Sequence, residues 1–393
     1  MSNSQTRLSL WEASSIVAGL GVGGGVMAVP YLASLNGAIE IFAILLVAYL
    51  VSVLLHLMIA EMVVIDGEGH QLVELFGKYL FRGRGRIFFT WAFFILIVTG
   101  FFSLLAGYVV GCGEIMVTLF QAASLALPLR AGEVITYALA AGVVFFGIKG
   151  LGVSEKYAVT GIVIMLGVLA LGSLGAPFQK IHDPGGGLKE ALALYGMAMF
   201  AFAVFFSVPQ VVEGLSWNLK MIPWAVVIGL AITLGSVVVI TLMSILVSRK
   251  VTEVAMIGWG EAVGRWHLLL GSFFALFALL TSYWSVSYAL AVVVKERLKT
   301  GDRNSWLIAT LPSLLLAISG MKGFMGFMRI VGGAMAVLVA LLIIPALRRC
   351  RRQAQAAGPS LSLGFWGSPG FQALVIIAYL IMAWGSIVSM GTK

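Results

Sequence analysis

The chain of 393 residues is 61% hydrophobic and only 10% charged, with a mean hydropathy of +1.05. A soluble domain carries roughly 25% charged residues, so this composition excludes a water-soluble protein and describes one membrane-embedded body. The net charge of +9 comes from cations scattered over short loops, which excludes a nucleic-acid surface.

A spanning helix needs about 20 mostly apolar residues, and on that basis eleven spans are predicted. Span one, about 11–34, opens on a capping box, Ser9-x-x-Glu12. It is interrupted by Gly19-Leu-Gly-Val-Gly-Gly-Gly25 and then by Val29-Pro30. Glycines and a proline at mid-depth expose backbone groups that lipid cannot satisfy. The stretch is too long for a cleavable signal. Span two, about 38–63, carries His56 and Glu61. Residues 70–80 set Leu72, Val73, Leu75, Phe76, Tyr79 and Leu80 on one helical face, which fits a short interfacial helix or an ordinary connector. Span three, about 87–120, is longer than a bilayer requires and is expected to tilt steeply. Its mid-depth polar residues are Ser103 and Tyr108, and Glu114 follows.

Spans four and five, about 133–150 and 156–175, place Lys156 at the start of span five, as an anchor on the inner side. Span six, about 188–213, holds a second interruption, Met199-Phe-Ala-Phe-Ala-Val-Phe-Phe-Ser207, again followed by Val208-Pro209. Spans seven to eleven follow at about 222–248, 267–294, 304–320, 324–347 and 369–390, with Thr281 and Ser282 in span eight and Arg329 in span ten. Most of the 25 Lys and Arg residues fall on the side of the N-terminus, which is therefore cytoplasmic, and the odd span number puts the C-terminus outside. A plasma (inner) membrane location is expected. Cys112 and Cys350 fall at opposite ends of the bundle, so no disulfide is expected.

The two interruptions lie in spans one and six. Spans one to five (about 11–175) and six to ten (about 188–348) then form two repeats of odd length, the second inverted, with span eleven added. Paired breaks at matching places point to a transporter's binding site. Gly23, Gly24 and Gly25 free N–H groups at the start of a half-helix, where the dipole attracts a carboxylate. Around Phe200, Ala201 and Phe202 the freed groups are carbonyls at a half-helix end, which suit an ammonium. The two together describe the backbone of an α-amino acid. The competing reading of the glycines is close helix packing.

Gly21-Val-Gly-Gly-Gly-Val-Met-Ala-Val-Pro-Tyr31 resembles the span-one signature of the amino acid/auxin permease group, with its aromatic and hydroxy amino acid permeases, in the amino acid-polyamine-organocation superfamily. Met199-Phe-Ala-Phe202 resembles their span-six signature and Thr281-Ser-Tyr-Trp-Ser-Val-Ser-Tyr288 their span-eight start. Glu61 falls where those proteins often carry an acid. The resemblance covers nearly the whole chain. It implies an all-α membrane protein of the LeuT type, with discontinuous helices one and six, and secondary active amino acid transport.

The resemblance further implies that Gly23, Gly24 and Gly25 receive the substrate carboxylate and the Phe200, Ala201 and Phe202 backbone its amino group. Phe206 is the candidate pocket wall or lid, and Ser103 or Tyr108 the span-three contact. In sodium-coupled members of the fold an ion sits between span-one carbonyls and span-eight hydroxyls. The matching positions are Gly19, Val22, Ala278, Thr281 and Ser282, although Thr and Ser also bond the carbonyl one turn back. A proton is the competing coupling ion, with sodium favoured. Glu61 is the candidate cytoplasmic-side organiser, and Glu114 with Arg329 is a candidate outer gate. Some proton-coupled relatives carry a span-five lysine in place of sodium, but Lys156 lies so near the span start that the inner-side anchor is the preferred reading. No cofactor, metal beyond sodium, or obligatory protein partner is implied; the partners are an amino acid and the lipid bilayer.

Asp66, Asp183 and Asp302 all fall in loops, and His-Glu-x-x-His and Gly-x-Ser-x-Gly are missing, which argues against a hydrolase. No filter sequence or charged ring suggests a channel. A membrane sensor that binds amino acids without moving them would keep the same breaks. The side chain expected in the pocket is neutral, apolar or aromatic, given Phe200, Phe202, Phe205 and Phe206.

Overall fold

The computed structural model describes residues 7–81, 84–145, 148–179, 186–252, 254–320, 324–354 and 361–390; at 148–153, 324–334, 354 and 387–390 it describes the helix without the side chains. Every regular element among the described residues is helical.

Span one is two helices. The Ser9 and Glu12 side chains cap each other's backbone N–H at 3.3 and 2.8 Å and start α1 (Leu10–Gly21). The helix stops at Val22, and Gly23, at φ −132° and ψ −141°, restarts it as α2 (Gly24–Ala33), bent by 54°. Then α3 (Ala38–Asp66) ends on Gly67 in the left-handed region at φ +69°, the usual glycine stop.

The connector forms α4 (Leu72–Tyr79). Leu72, Val73, Leu75, Phe76 and Tyr79 are all buried against α5 (Arg86–Ala122) and α14 (Phe324–Ala354). The predicted apolar face is therefore real, but it docks on the bundle rather than on lipid. The 37-residue α5 is about 55 Å long at 1.5 Å per residue, well beyond the ~30 Å hydrocarbon core.

Spans four and five are α6 (Leu129–Phe145) and α7 (Ile148–Gly172). The predicted boundary fell several residues late: residues 151–155 belong to α7, not to a connection. Span six is α8 (Leu188–Ala201), a 3-10 turn (Phe205–Ser207) and α9 (Val208–Gly214), with Pro209 in the first turn of α9 where its missing N–H costs nothing. After α10 (Met221–Val247) comes a helix that the apolar pattern did not predict, α11 (Ala255–Val263). Gly264, at φ +137°, turns the chain into α12 (Arg265–Leu298). Then follow α13 (Asp302–Ile318), α14 and α15 (Pro369–Met390).

Among the described residues seven helices are long and apolar enough to cross a membrane, eight with the bent pair α1–α2. Helices α6 and α13, at 17 residues each, reach about 25 Å, and α14 is described only in part. The order of helices fits eleven spans. In the centre α2 packs on α8, both α1 and α2 pack on α10, and α8 packs on α3, with α12 against α1 and α5. The added helix α15 lies against α8, with Gly385 so close to the Leu192 carbonyl that no side chain fits between them.

Cys112 and Cys350 are buried, free thiols. Near the N-terminal face, Lys78 bonds Asp66 at 2.7 Å and Glu68 at 3.0 Å, and the Tyr79 hydroxyl donates to Asp66 at 2.9 Å. His70 completes a cluster with metal-ligating reach, but the Lys78 ammonium already supplies its positive charge.

Candidate functional site

The two interruptions touch. A Cβ placed on Gly25 would lie 2.6 Å from Ala201 Cα and 2.9 Å from its Cβ, so α2 and α8 approach as closely as backbones allow. Gly23 meets the Ser282 side chain and Gly21 that of Thr233, with no room for a side chain on either glycine. Close packing thus accounts for the absence of side chains at Gly23 and Gly25. It does not account for the opening of α1–α2, which leaves the N–H groups of the first turn of α2 without intrahelical acceptors.

Across from them α8 ends. The Phe200 carbonyl accepts the Ala203 N–H at 2.9 Å and the Phe202 carbonyl the Val204 N–H at 2.9 Å. Two of the three predicted carbonyls are thus partly used by the turn, each keeping a second lone pair. Among the described residues the Ala201 carbonyl receives no backbone N–H.

Gly24, Gly25, Ala201, Phe101, Tyr108 and Phe206 are among the residues around a small cavity of about 50 Å³. Phe206 packs edge-on to Phe101 with ring centroids 4.5 Å apart. Of the two span-three candidates Tyr108 lines the cavity, whereas Ser103 does not and bonds its own helix at the Thr99 carbonyl, 3.2 Å away. Phe101 and Leu104 were missed by sequence reasoning, although they share the face of Tyr108 at helical spacing. A ligand pocket usually holds about 300 Å³ or more, so this conformation is closed around the site. A larger cavity of about 810 Å³ opens on the N-terminal face, between α3, α6, α9, α12 and α13.

Four of the five predicted ion-site residues meet. Ser282 Oγ donates to the Gly19 carbonyl at 3.0 Å and to that of Leu20 at 3.3 Å; Thr281 Oγ1 reaches the Gly19 carbonyl at 3.5 Å and that of Ala278 at 3.0 Å. The Ala278 bond is the local one expected of any helical threonine, but the bonds to Gly19 join two spans. Val22 is buried beside them, with no described contact to the hydroxyls.

Glu61 is buried and held by Arg351 through two bonds, Nε to Oε1 at 2.8 Å and Nη2 to Oε2 at 2.6 Å. Arg351 also donates to the Gly367 carbonyl at 2.8 Å, so one pair ties α3, α14 and the 3-10 turn (Gly364–Gly367) that precedes α15. Lys156 Nζ lies 3.5 Å from Glu12 Oε1, half-exposed, and ties α7 to the start of α1. Glu114 is half-buried in α5. The Arg329 side chain lies outside the described residues, and with it the Glu114–Arg329 gate. Two buried acids were overlooked: Glu133, paired with Arg130 at 3.0 Å, and Glu155, on α7, beside Gly19 and Ser285.

The sequence model of the tryptophan/tyrosine permease family matches residues 6–385. No curated protein matches the chain. Among solved structures it is similar to MhsT in complex with L-phenylalanine, at 15% identity and TM-score 0.69 over 98% of this chain and 99% of that one. Mhp1, a nucleobase-cation-symport-1 family transporter in a closed conformation with bromovinylhydantoin bound, gives 14% and 0.66 over 99% and 93%. The Eremococcus coleocola manganese transporter, in complex with an aromatic bis-isothiourea substituted compound, gives 14% and 0.64 over 99% and 88%. At these identities the likeness concerns the fold, which is of the LeuT type.

Proposed function

The chain belongs to the tryptophan/tyrosine permease family, and from that premise we propose that it moves a neutral aromatic amino acid across the membrane by alternating access, coupled to a sodium or proton gradient. Family and fold together make it a secondary transporter rather than an enzyme. The finer reading, within the wider amino acid/auxin permease group, rests on one observation above others: the interruptions of spans one and six meet at Gly25 and Ala201.

In this reading the N–H groups at Gly24 and Gly25 bind the substrate carboxylate; the third predicted donor, the Gly23 N–H, is taken by the Gly21 carbonyl at 2.8 Å. The Ala201 carbonyl, with second lone pairs from Phe200 and Phe202, binds the ammonium. Charged hydrogen bonds of this kind are the strong ones. The side chain lies among Phe101, Tyr108 and Phe206, an aromatic wall suited to tryptophan, tyrosine or phenylalanine; MhsT, of the same fold, holds L-phenylalanine. The cavity in this conformation is too small for any of them. Entry therefore requires Phe206 to part from Phe101, and release requires α1 to leave α9, where the Leu8 N–H now bonds the Gly214 carbonyl at 3.0 Å.

We place the N-terminus on the cytoplasmic side of the plasma (inner) membrane and the C-terminus outside. Glu61–Arg351 then organises the cytoplasmic face. Proteoliposomes test the function. Labelled L-tryptophan or L-tyrosine accumulates above equilibrium under an imposed sodium or proton gradient, with competition by neutral aromatic amino acids and little by glutamate or arginine. Binding without flux would make the protein a sensor, and strong competition by glutamate or arginine would overturn the neutral pocket.

A further inference from the structure

Glu155 is fully buried, deep in the bundle where charge is costly. Ser285 Oγ, on α12, donates to its Oε1. Its Oε2 has no hydrogen-bond partner and faces α1, where a Cβ on Gly19 would lie 3.0 Å away. Gly19 is the same residue whose carbonyl takes the Ser282 and Thr281 hydroxyls. The carboxyl group thus sits at the seam of α1, α7 and α12, next to the predicted ion site.

No cationic side chain neutralises it among the described residues. Its neighbour Lys156 turns away to Glu12 at 3.5 Å. The helices packed on α7 supply nothing else: α10 carries no charged group, and α6 carries Arg130 and Glu133, paired with each other at 3.0 Å, and Tyr137. Near Ser285, α12 offers Tyr283, engaged with Ser313, and Tyr288, on the N-terminal-face cavity. The remaining charged groups of α12 lie towards its two ends. A buried carboxylate with one bare oxygen and no counter-charge is stable only after gaining a proton or a small cation. The bare Oε2 can take a proton with no further ligand, whereas a cation would need several more oxygens around it, which favours the proton.

We propose that Glu155 carries the coupling proton of this transporter, a reading that rests on the transport function above. Glu155 takes a proton onto a carboxylate oxygen from hydronium when the site faces outside. It gives the proton back to water inside once the α1 half-helix moves off Gly19. Substrate and proton travel together because the same half-helix covers both. This reverses the preference for sodium drawn from the span-eight hydroxyls alone.

The test compares wild type, Glu155→Gln and Glu155→Asp in sodium-free proteoliposomes with labelled L-tryptophan and the membrane potential clamped. One pH unit supports about tenfold accumulation at one proton per substrate. Wild type is expected to reach several-fold accumulation and to take up protons when substrate is added, read by a trapped pH dye. Glu155→Gln is expected to show counterflow exchange but no accumulation and no proton uptake, and Glu155→Asp to restore part of both. Accumulation by Glu155→Gln at the wild-type level, or wild-type accumulation that requires sodium and moves no protons, would overturn the proposal. The wild-type proton signal decides the matter even where a variant fails to fold, because its absence during substrate accumulation is itself refuting. Absence of wild-type counterflow would instead overturn the transport reading on which the proposal stands.

Discussion

Gly25→Ala puts the meeting of the two broken spans to a quantitative test. The added methyl would lie 2.6 Å from Ala201 Cα, 2.9 Å from its Cβ and 3.0 Å from its nitrogen. Carbon atoms settle at about 3.5–4.0 Å, so α2 and α8 must part by roughly 1 Å. The obstacle is backbone, which cannot step aside as a side-chain end can. Overpacking of this kind costs about 1–3 kcal/mol, and the upper half of that range is expected. The same shift displaces the N–H groups at Gly24 and Gly25 from the carbonyl at Ala201, and a misplacement of about 1 Å can cost on the order of a hundredfold in a positioned site. Initial uptake rates in proteoliposomes and thermal unfolding of the purified protein measure the two effects. Gly142→Ala, on α6 where the new methyl meets open space, serves as the control and should leave both unchanged. Wild-type uptake and an unshifted melt in Gly25→Ala would refute the reasoning.

Four further outcomes are expected. Removing Glu61 or Arg351 breaks a buried pair, which generally costs about 3–5 kcal/mol. Because the Arg351 side chain is 30% exposed, the lower part of that range is expected, and a Glu61→Gln/Arg351→Gln cycle should show clear coupling in thermal unfolding; additive effects would argue against the pair. Lys78→Met leaves the fully buried Asp66 side chain with Tyr79 and His70 alone and should lower stability by about 1–3 kcal/mol. Burial opposes the Lys78 charge, but the Asp66 and Glu68 carboxylates outweigh it and hold the ammonium above its ordinary 10.5. Its contribution is therefore complete at neutral pH and is lost only as pH rises through that elevated value, so wild type and variant should converge only in strong alkali. Phe206→Ala removes half of the ring pair with Phe101 and should weaken L-tryptophan competition about tenfold, given that aromatic burial and pairing exceed about 1.4 kcal/mol; unchanged competition would remove Phe206 from the pocket.

Much of the fold was legible because membrane spans are read from length and apolarity. Span six, from Leu188 to Gly214, falls where the sequence put it within a residue. The break after Gly21 and the end of α8 at Ala201 fall inside the stretches the sequence marked, 19–25 and 199–207, the first by its glycines and each by the Val-Pro that follows. The boundary between spans four and five was misplaced because 148–155 is a mixture of small, apolar and charged residues with no proline to punctuate it. That error hid Glu155: read as connecting chain, a carboxylate needs no explanation, whereas inside α7 it does. The short α11 has no hydrophobic period long enough to announce itself. The depth of the α4 face and the partner of Glu61 depend on contacts between residues hundreds of positions apart, such as Glu61 with Arg351, which a single sequence does not encode visibly.

The central claim is that a small zwitterion binds where spans one and six are both open. A structure of the purified protein determined with L-tryptophan or L-tyrosine tests it most directly. The account predicts the carboxylate on the N–H groups at Gly24 and Gly25, the ammonium on the Ala201 carbonyl and the ring between Phe101 and Phe206. Ligand lodged instead in the cavity between α9, α12 and α13, with Gly25 still closed on Ala201, would contradict it.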